Sequence, residues 1–136
     1  MTFDFHQYIT DFNAACGCDE ESMVNRYFTE DLLLEGPDRT LLGRQHWAAL
    51  LMFAHDGVSE RLEVLRVVRE GECMMAELEG RLVFSKDRSD HPMGPAKAGQ
   101  EIVTRFFASY EIRGDRISRL LLAWWPAQAK AIHPAA

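Results

Sequence analysis

Apolar residues along this chain recur first at helical spacing and then at alternating spacing, so the pattern divides into a helical half and a strand half. Phe5, Ile9, Phe12 and Cys16 fall at steps of four, three and four, which predicts an amphipathic helix over about Phe3 to Cys16 with that stripe turned inward. Gly17 ends it, and Asp19 is placed to cap a second short helix through Phe28. Met23, Tyr27 and Phe28 share the face turned toward the first helix, making a helix hairpin. The stretch DLLLEGPDRTLLGR, Asp31 to Arg44, then reads as a strand, a Pro-containing turn, a short strand and a Gly-Arg step into a helix. That third helix carries Trp47, Leu50, Leu51 and Ala54 on one face and stops at Asp56-Gly57.

From there the period changes to two. Strands are predicted at about Arg61 to Arg69, Cys73 to Ser85, Glu101 to Arg113 and Arg116 to Trp125, with Glu70-Gly71 and Gly114-Asp115 as hairpin turns and Pro126 as a stop. Lys86 to Gln100, rich in Gly, Pro and charge, is too polar for the core and reads as a surface loop. The expected fold is α+β: a curved antiparallel sheet with three N-terminal helices across its concave face, in one domain over residues 1–126, followed by a tail at 127–136.

Composition narrows the partners. The 136 residues suffice for one core, and 47% hydrophobic with 26% charged is an ordinary globular balance. A net charge of -6 with scattered Lys and Arg argues against nucleic acid. The start, MTFDFHQYIT, lacks a basic leader, and no apolar run reaches the roughly 20 residues that cross a bilayer, so no membrane role and a cytoplasmic location are expected. Cys16, Cys18 and Cys73 form no even disulfide framework and have no nearby partners for a tetrahedral metal site, so reduced thiols and no metal are expected.

The helix hairpin, DLLLEGP, LLGRQHW, and four long strands ending in GDRI and LLAWW occur in an order that resembles the nuclear transport factor 2-like superfamily. The resemblance is closest to its SnoaL-like and ketosteroid isomerase-like members, within the cystatin-like class of folds, and spans Phe3 to Pro126. It implies a cone whose open end holds a small apolar or aromatic molecule, and a homodimer formed through the outer surface of the sheet. Any chemistry would be acid/base work without a cofactor, of isomerase, dehydratase or cyclase type.

The family's catalytic groups do not carry over. A ketosteroid isomerase uses a carboxylate base with a tyrosine and a neutral aspartic acid around the enolate oxygen. The matching positions here are Gly36 for the base, Phe12 for the tyrosine, and Ala108 or Phe107 for the aspartic acid. The acid that SnoaL-like cyclases place near the end of the last strand is replaced by Trp124, Trp125 and Pro126. The histidines that scytalone dehydratases carry on strands have no counterpart, since all five histidines fall on helices, the long loop or the tail. A binding module without catalysis, or a protein-interaction domain, is therefore the alternative.

Candidate chemistry falls on other residues. Glu77 is the first: its match to the family faces the pocket, whereas strand parity, read from Met74, Ala76, Leu78, Leu82 and Phe84, sends Glu77 and Glu79 outward. A bulge at Gly80 would reconcile the two readings. Tyr110, whose buried hydroxyl needs a partner, and His55, near the expected rim, complete the catalytic candidates. Trp47, Leu51, Phe106, Leu122 and Trp124 are predicted to line the pocket from one helix face and one strand parity, and Phe12, Tyr27 and Ala108 join them as ligand-binding candidates.

Overall fold

Asp4 opens the first helix, its carboxylate accepting a hydrogen bond from the Gln7 N–H at 3.1 Å, so the helix starts at Phe5, two residues after the predicted start at Phe3. Residues 3–127 are described in this structure, a computed structural model, and the tail predicted from residue 127 lies, from 128 onward, outside the described residues. The elements are α1 (Phe5–Ala15), α2 (Glu20–Tyr27), β1 (Phe28–Glu35), β2 (Thr40–Leu42), α3 (Arg44–Ala54), β3 (Val58–Glu70), β4 (Cys73–Phe84), β5 (Glu101–Arg113) and β6 (Arg116–Pro126). α1 buries Phe5, Tyr8, Ile9, Phe12 and Ala15. Asp19 makes no side-chain cap to α2, and Gly43, at φ 97°, turns the chain into α3.

The six strands form one sheet in the order β2-β1-β6-β5-β4-β3. Four of the five neighbouring pairs are antiparallel, but β1 runs parallel to β6, so the sheet is mixed rather than wholly antiparallel. Parallel pairing needs a long crossover. Here α3 and the β3–β5 meander supply it, which no local alternation pattern could indicate. β3 begins at Val58, three residues before the predicted start, and carries a register shift between Val64 and Arg66.

The edge strand β3 is tied to α1 by side chains three residues apart on the helix. Asn13 donates to the Leu62 carbonyl at 2.9 Å and accepts from the Leu62 N–H at 2.8 Å, while the Cys16 sulfur accepts from the Glu60 N–H at 3.3 Å. These bonds satisfy backbone groups that an edge strand would otherwise leave open. They also hold Glu60 beneath the helix.

Inward and outward residues alternate along β4 without a break. The ladder runs in register through Gly80, opposite Leu62 and Thr104, so there is no bulge there. Gly80 has a different reason to be glycine. A Cβ at this position would lie 2.5 Å from the Phe106 ring, which leans across the bare backbone.

The long loop is pinned to the body. Arg88 and Ala96 exchange backbone hydrogen bonds at 2.8 and 3.0 Å, the Arg88 guanidinium donates to the Asp56 carbonyl at 2.7 Å, and Lys86 pairs with the Asp56 carboxylate. Among the described residues no helix is long and apolar enough to cross a membrane.

Candidate functional site

A cavity of about 110 Å³ opens between α1, α3 and the concave face of the sheet. Six rings line it: Tyr8, Phe12, Trp47, Phe106, Tyr110 and Trp124. Leu50, Leu51 and Ala54 of α3 and Leu120 and Leu122 of β6 fill the gaps between them, Gly36 and Arg39 stand at the β1–β2 turn, and His91, Pro92 and Met93 close one side from the long loop. The loop therefore contributes to the cavity wall.

One carboxylate, Glu60, lines this apolar space. Its Oε1 lies 2.8 Å from Nε2 of His55, whose Nδ1 lies 2.8 Å from Oε2 of Glu20. The side chains of Glu20, His55 and Glu60 are 7%, 1% and 11% exposed, so this trio is shut off from bulk water. Burial alone disfavours a charged imidazole, but the Cys16 sulfur and the Glu60 carboxylate overcome it and push His55 up to about 10. The ring is thus an imidazolium at neutral pH, with both N–H groups donating to carboxylates. Burial likewise works against ionised Glu20, yet the Gly17 N–H at 2.7 Å and His55 hold its carboxyl below its ordinary value.

Tyr8 and Tyr110 bring two hydroxyls to the same space while being only 2% and 3% exposed overall. Neither hydroxyl forms a hydrogen bond to another described residue. Burial raises both phenols well above their ordinary range, so each remains protonated and able to donate or accept. His91 is in the opposite condition to His55. Its Nδ1 accepts from the Met93 N–H at 3.0 Å and its Nε2 donates to the Ala54 carbonyl at 2.8 Å, and burial lowers its pKa, so it is held neutral. Among the described residues no group of three His, Cys, Asp or Glu is arranged to hold a metal ion.

The structure brings together many of the predicted residues and scatters others. Phe12, Trp47, Leu51, Phe106, Leu122, Trp124 and Tyr110 all line the cavity. Tyr27 and Ala108 do not. The Tyr27 hydroxyl is tied to Asp11 on the far side of the α1–α2 hairpin, and Ala108 is packed to zero exposure beneath its neighbours. His55 does not stand at the rim but is buried behind Glu60.

Glu77 does not face the cavity. It sits on the outer face of the sheet, 3.4 Å from Arg105 and 36% exposed, because the unbroken alternation of β4 leaves nothing to turn it inward. The carboxylate at the cavity comes instead from β3. Val58, Glu60, Leu62 and Val64 share one parity, so a strand begun at Val58 would have shown a carboxylate on an apolar face. Starting it at Arg61 hid that signal. Gly36 and Phe12, at the family's base and tyrosine positions, line the cavity and bring no polar side chain to it.

No family model matches the chain, and no curated protein matches it in sequence. Solved structures do match in shape. The "putative polyketide cyclase" of Xanthomonas campestris pv. campestris superposes with a TM-score of 0.73 at 22% identity, over 88% of this chain and 85% of that one. A protein of the same description from Pseudomonas putida KT2440 gives 0.70 at 22% identity, over 87% and 86%. The fold is nuclear transport factor 2-like. An LEH-like epoxide hydrolase of Mycobacterium tuberculosis matches this fold too, with a TM-score of 0.65 at 15% identity over 88% of this chain and 80% of that one. At these identities the likeness establishes the nuclear transport factor 2-like architecture and leaves the chemistry to the residues of the site.

Proposed function

We propose that this nuclear transport factor 2-like protein holds a small, largely apolar molecule in its cavity and moves a proton on it through Glu60, without a cofactor. The observation that carries this reading is a single carboxylate set into an otherwise apolar, ring-lined space and backed by a buried imidazolium. Glu60 Oε1 is occupied by His55, so Oε2 is the oxygen available to a bound molecule. His55 and Glu20 act as positioning residues. The imidazolium fixes the Glu60 carboxylate, and Glu20 fixes the imidazolium from its other nitrogen. Tyr110 and Tyr8 supply protonated hydroxyls that can hold an oxygen or nitrogen of the substrate.

This assigns proton transfer to Glu60 in place of Glu77 and keeps Tyr110 and His55 in the machinery. The reaction class is isomerisation, dehydration or cyclisation, all of which need one proton moved at or beside a polarised carbon. Deuterium uptake from D2O by small cyclic ketones, with and without an amino group, tests it by NMR. Uptake should exceed the buffer blank and fall at least about 100-fold in Glu60→Gln. Uptake equal to the blank across the panel would overturn the catalytic reading and leave a binding module.

The same proposal includes a homodimer through the outer face of the sheet. Met75, Phe107, Leu121 and Trp125 are exposed there at 42–46%, beside Glu77, Glu79 and Arg105, which offer both signs of charge to a second copy. Light scattering on the wild type should give twice the chain mass, and Phe107→Glu should return the monomer. A monomeric wild type at tens of micromolar would remove this part.

A further inference from the structure

We infer that the ligand of this cavity carries a basic nitrogen and is bound as a small ammonium ion, with its N–H directed at Glu60. The inference rests on reading the cavity as a small-molecule site. It adds the chemical class of the molecule.

The charge count of the buried trio comes first. Its two hydrogen bonds need one proton each, so two carboxylates and one imidazole sharing two protons sum to one negative charge, and the only member lining the cavity is Glu60. The other ionisable lining groups do not cancel it. Arg39 spends its guanidinium on Asp38, through contacts of 3.1 and 2.9 Å, and His91 is held neutral by its two hydrogen bonds. An apolar cavity containing an uncompensated carboxylate is stabilised most by a cation that hydrogen-bonds to it.

The walls are suited to the same guest. Six phenyl, phenol and indole rings line the space, and a cation or the polarised C–H groups beside an ammonium nitrogen are attracted to such rings. The second observation is independent of charge. Tyr8 and Tyr110, 2% and 3% exposed as whole residues, line the cavity, and neither hydroxyl has a hydrogen-bond partner among the described residues. Their oxygens can accept N–H bonds that Glu60 does not take. A neutral hydrocarbon would leave all three oxygens unmatched, whereas an anion would face Glu60 directly.

Cyclohexylammonium and cyclohexanol, nearly equal in size, separate charge from shape. Titration calorimetry near pH 7 on the wild-type protein should show the ammonium binding at least about tenfold more tightly than the alcohol. In Glu60→Gln, which keeps an acceptor for the His55 ring, that preference should collapse to within about twofold, and Tyr110→Phe should weaken ammonium binding a few-fold. Equal affinity of the two probes for the wild type overturns the ammonium inference while leaving the small-molecule site intact. Binding of neither overturns both. The wild-type pair decides the question even if a variant does not fold.

Discussion

Two carboxylate–cation–carboxylate trios stand on opposite faces of the same sheet. On the inner side His55 lies between Glu20 and Glu60 at 2.8 Å from each, with exposures of 1%, 7% and 11%. On the outer side Arg105 lies between Glu77 and Glu79 at 3.4 and 3.6 Å, with exposures of 30%, 36% and 27%. The groups are alike and their environments are not. Water screens the outer trio and supplies substitutes for any bond that is lost, whereas the inner trio has only its own members, the Gly17 N–H and the Cys16 sulfur to hold its charges. Strand parity decides which residue belongs to which, and that single fact puts Glu60 at the cavity and Glu77 on the outer face.

The largest effect that would break this contrast is on stability. His55→Ala leaves Glu20 and Glu60 buried without their cation and should cost about 3–5 kcal/mol in urea unfolding near neutral pH. A loss below about 1 kcal/mol would show that water reaches the inner trio as freely as the outer one.

The pH dependence sharpens the same point. The fold keeps a proton on His55 up to about 10, while the unfolded chain releases it above its ordinary value of 6.5. The stabilisation is therefore complete below about pH 6.5 and drains away as pH rises toward 10. His91 acts in reverse. Its lowered value means the fold disfavours the proton that the unfolded chain binds, so its contribution is present above about 6.5 and lost as pH falls. Urea midpoints of wild type and His55→Ala should converge between about pH 7 and pH 10, and a constant gap would mean that His55 is neutral in the fold.

The smallest expected effect belongs to the outer trio. Glu77→Gln should change stability by no more than about 0.5 kcal/mol and leave ammonium binding and deuterium uptake at wild-type levels. A loss of turnover in that variant would return Glu77 to the mechanism and undo the assignment of the two faces.

Much of the wall of the cavity was legible in the chain. Trp47 and Leu51 repeat at helical spacing, and Phe106, Tyr110, Leu122 and Trp124 hold one parity of two strands, so period alone placed them on the concave side. Tyr27 and Ala108 failed for a physical reason: facing inward puts a residue in the core, but only some core positions border empty space. Glu77 failed because an inward Glu77 needed a bulge at Gly80, and the alternation that Met74, Ala76 and Leu78 display runs through that residue unbroken. Glu60 was readable in principle from the Val58, Glu60, Leu62 parity, given the right strand start.

By itself the sequence determined the helices, the long strands and the face each residue takes, because the periods of 3.6 and 2 are properties of the local backbone. Only the tertiary structure decided what those faces meet. The parallel pairing of β1 with β6, the ring of Phe106 laid over Gly80, and the meeting of Glu20 with His55 across 35 residues are all contacts between distant segments. Their charges and volumes must balance in space, and no local period encodes that balance.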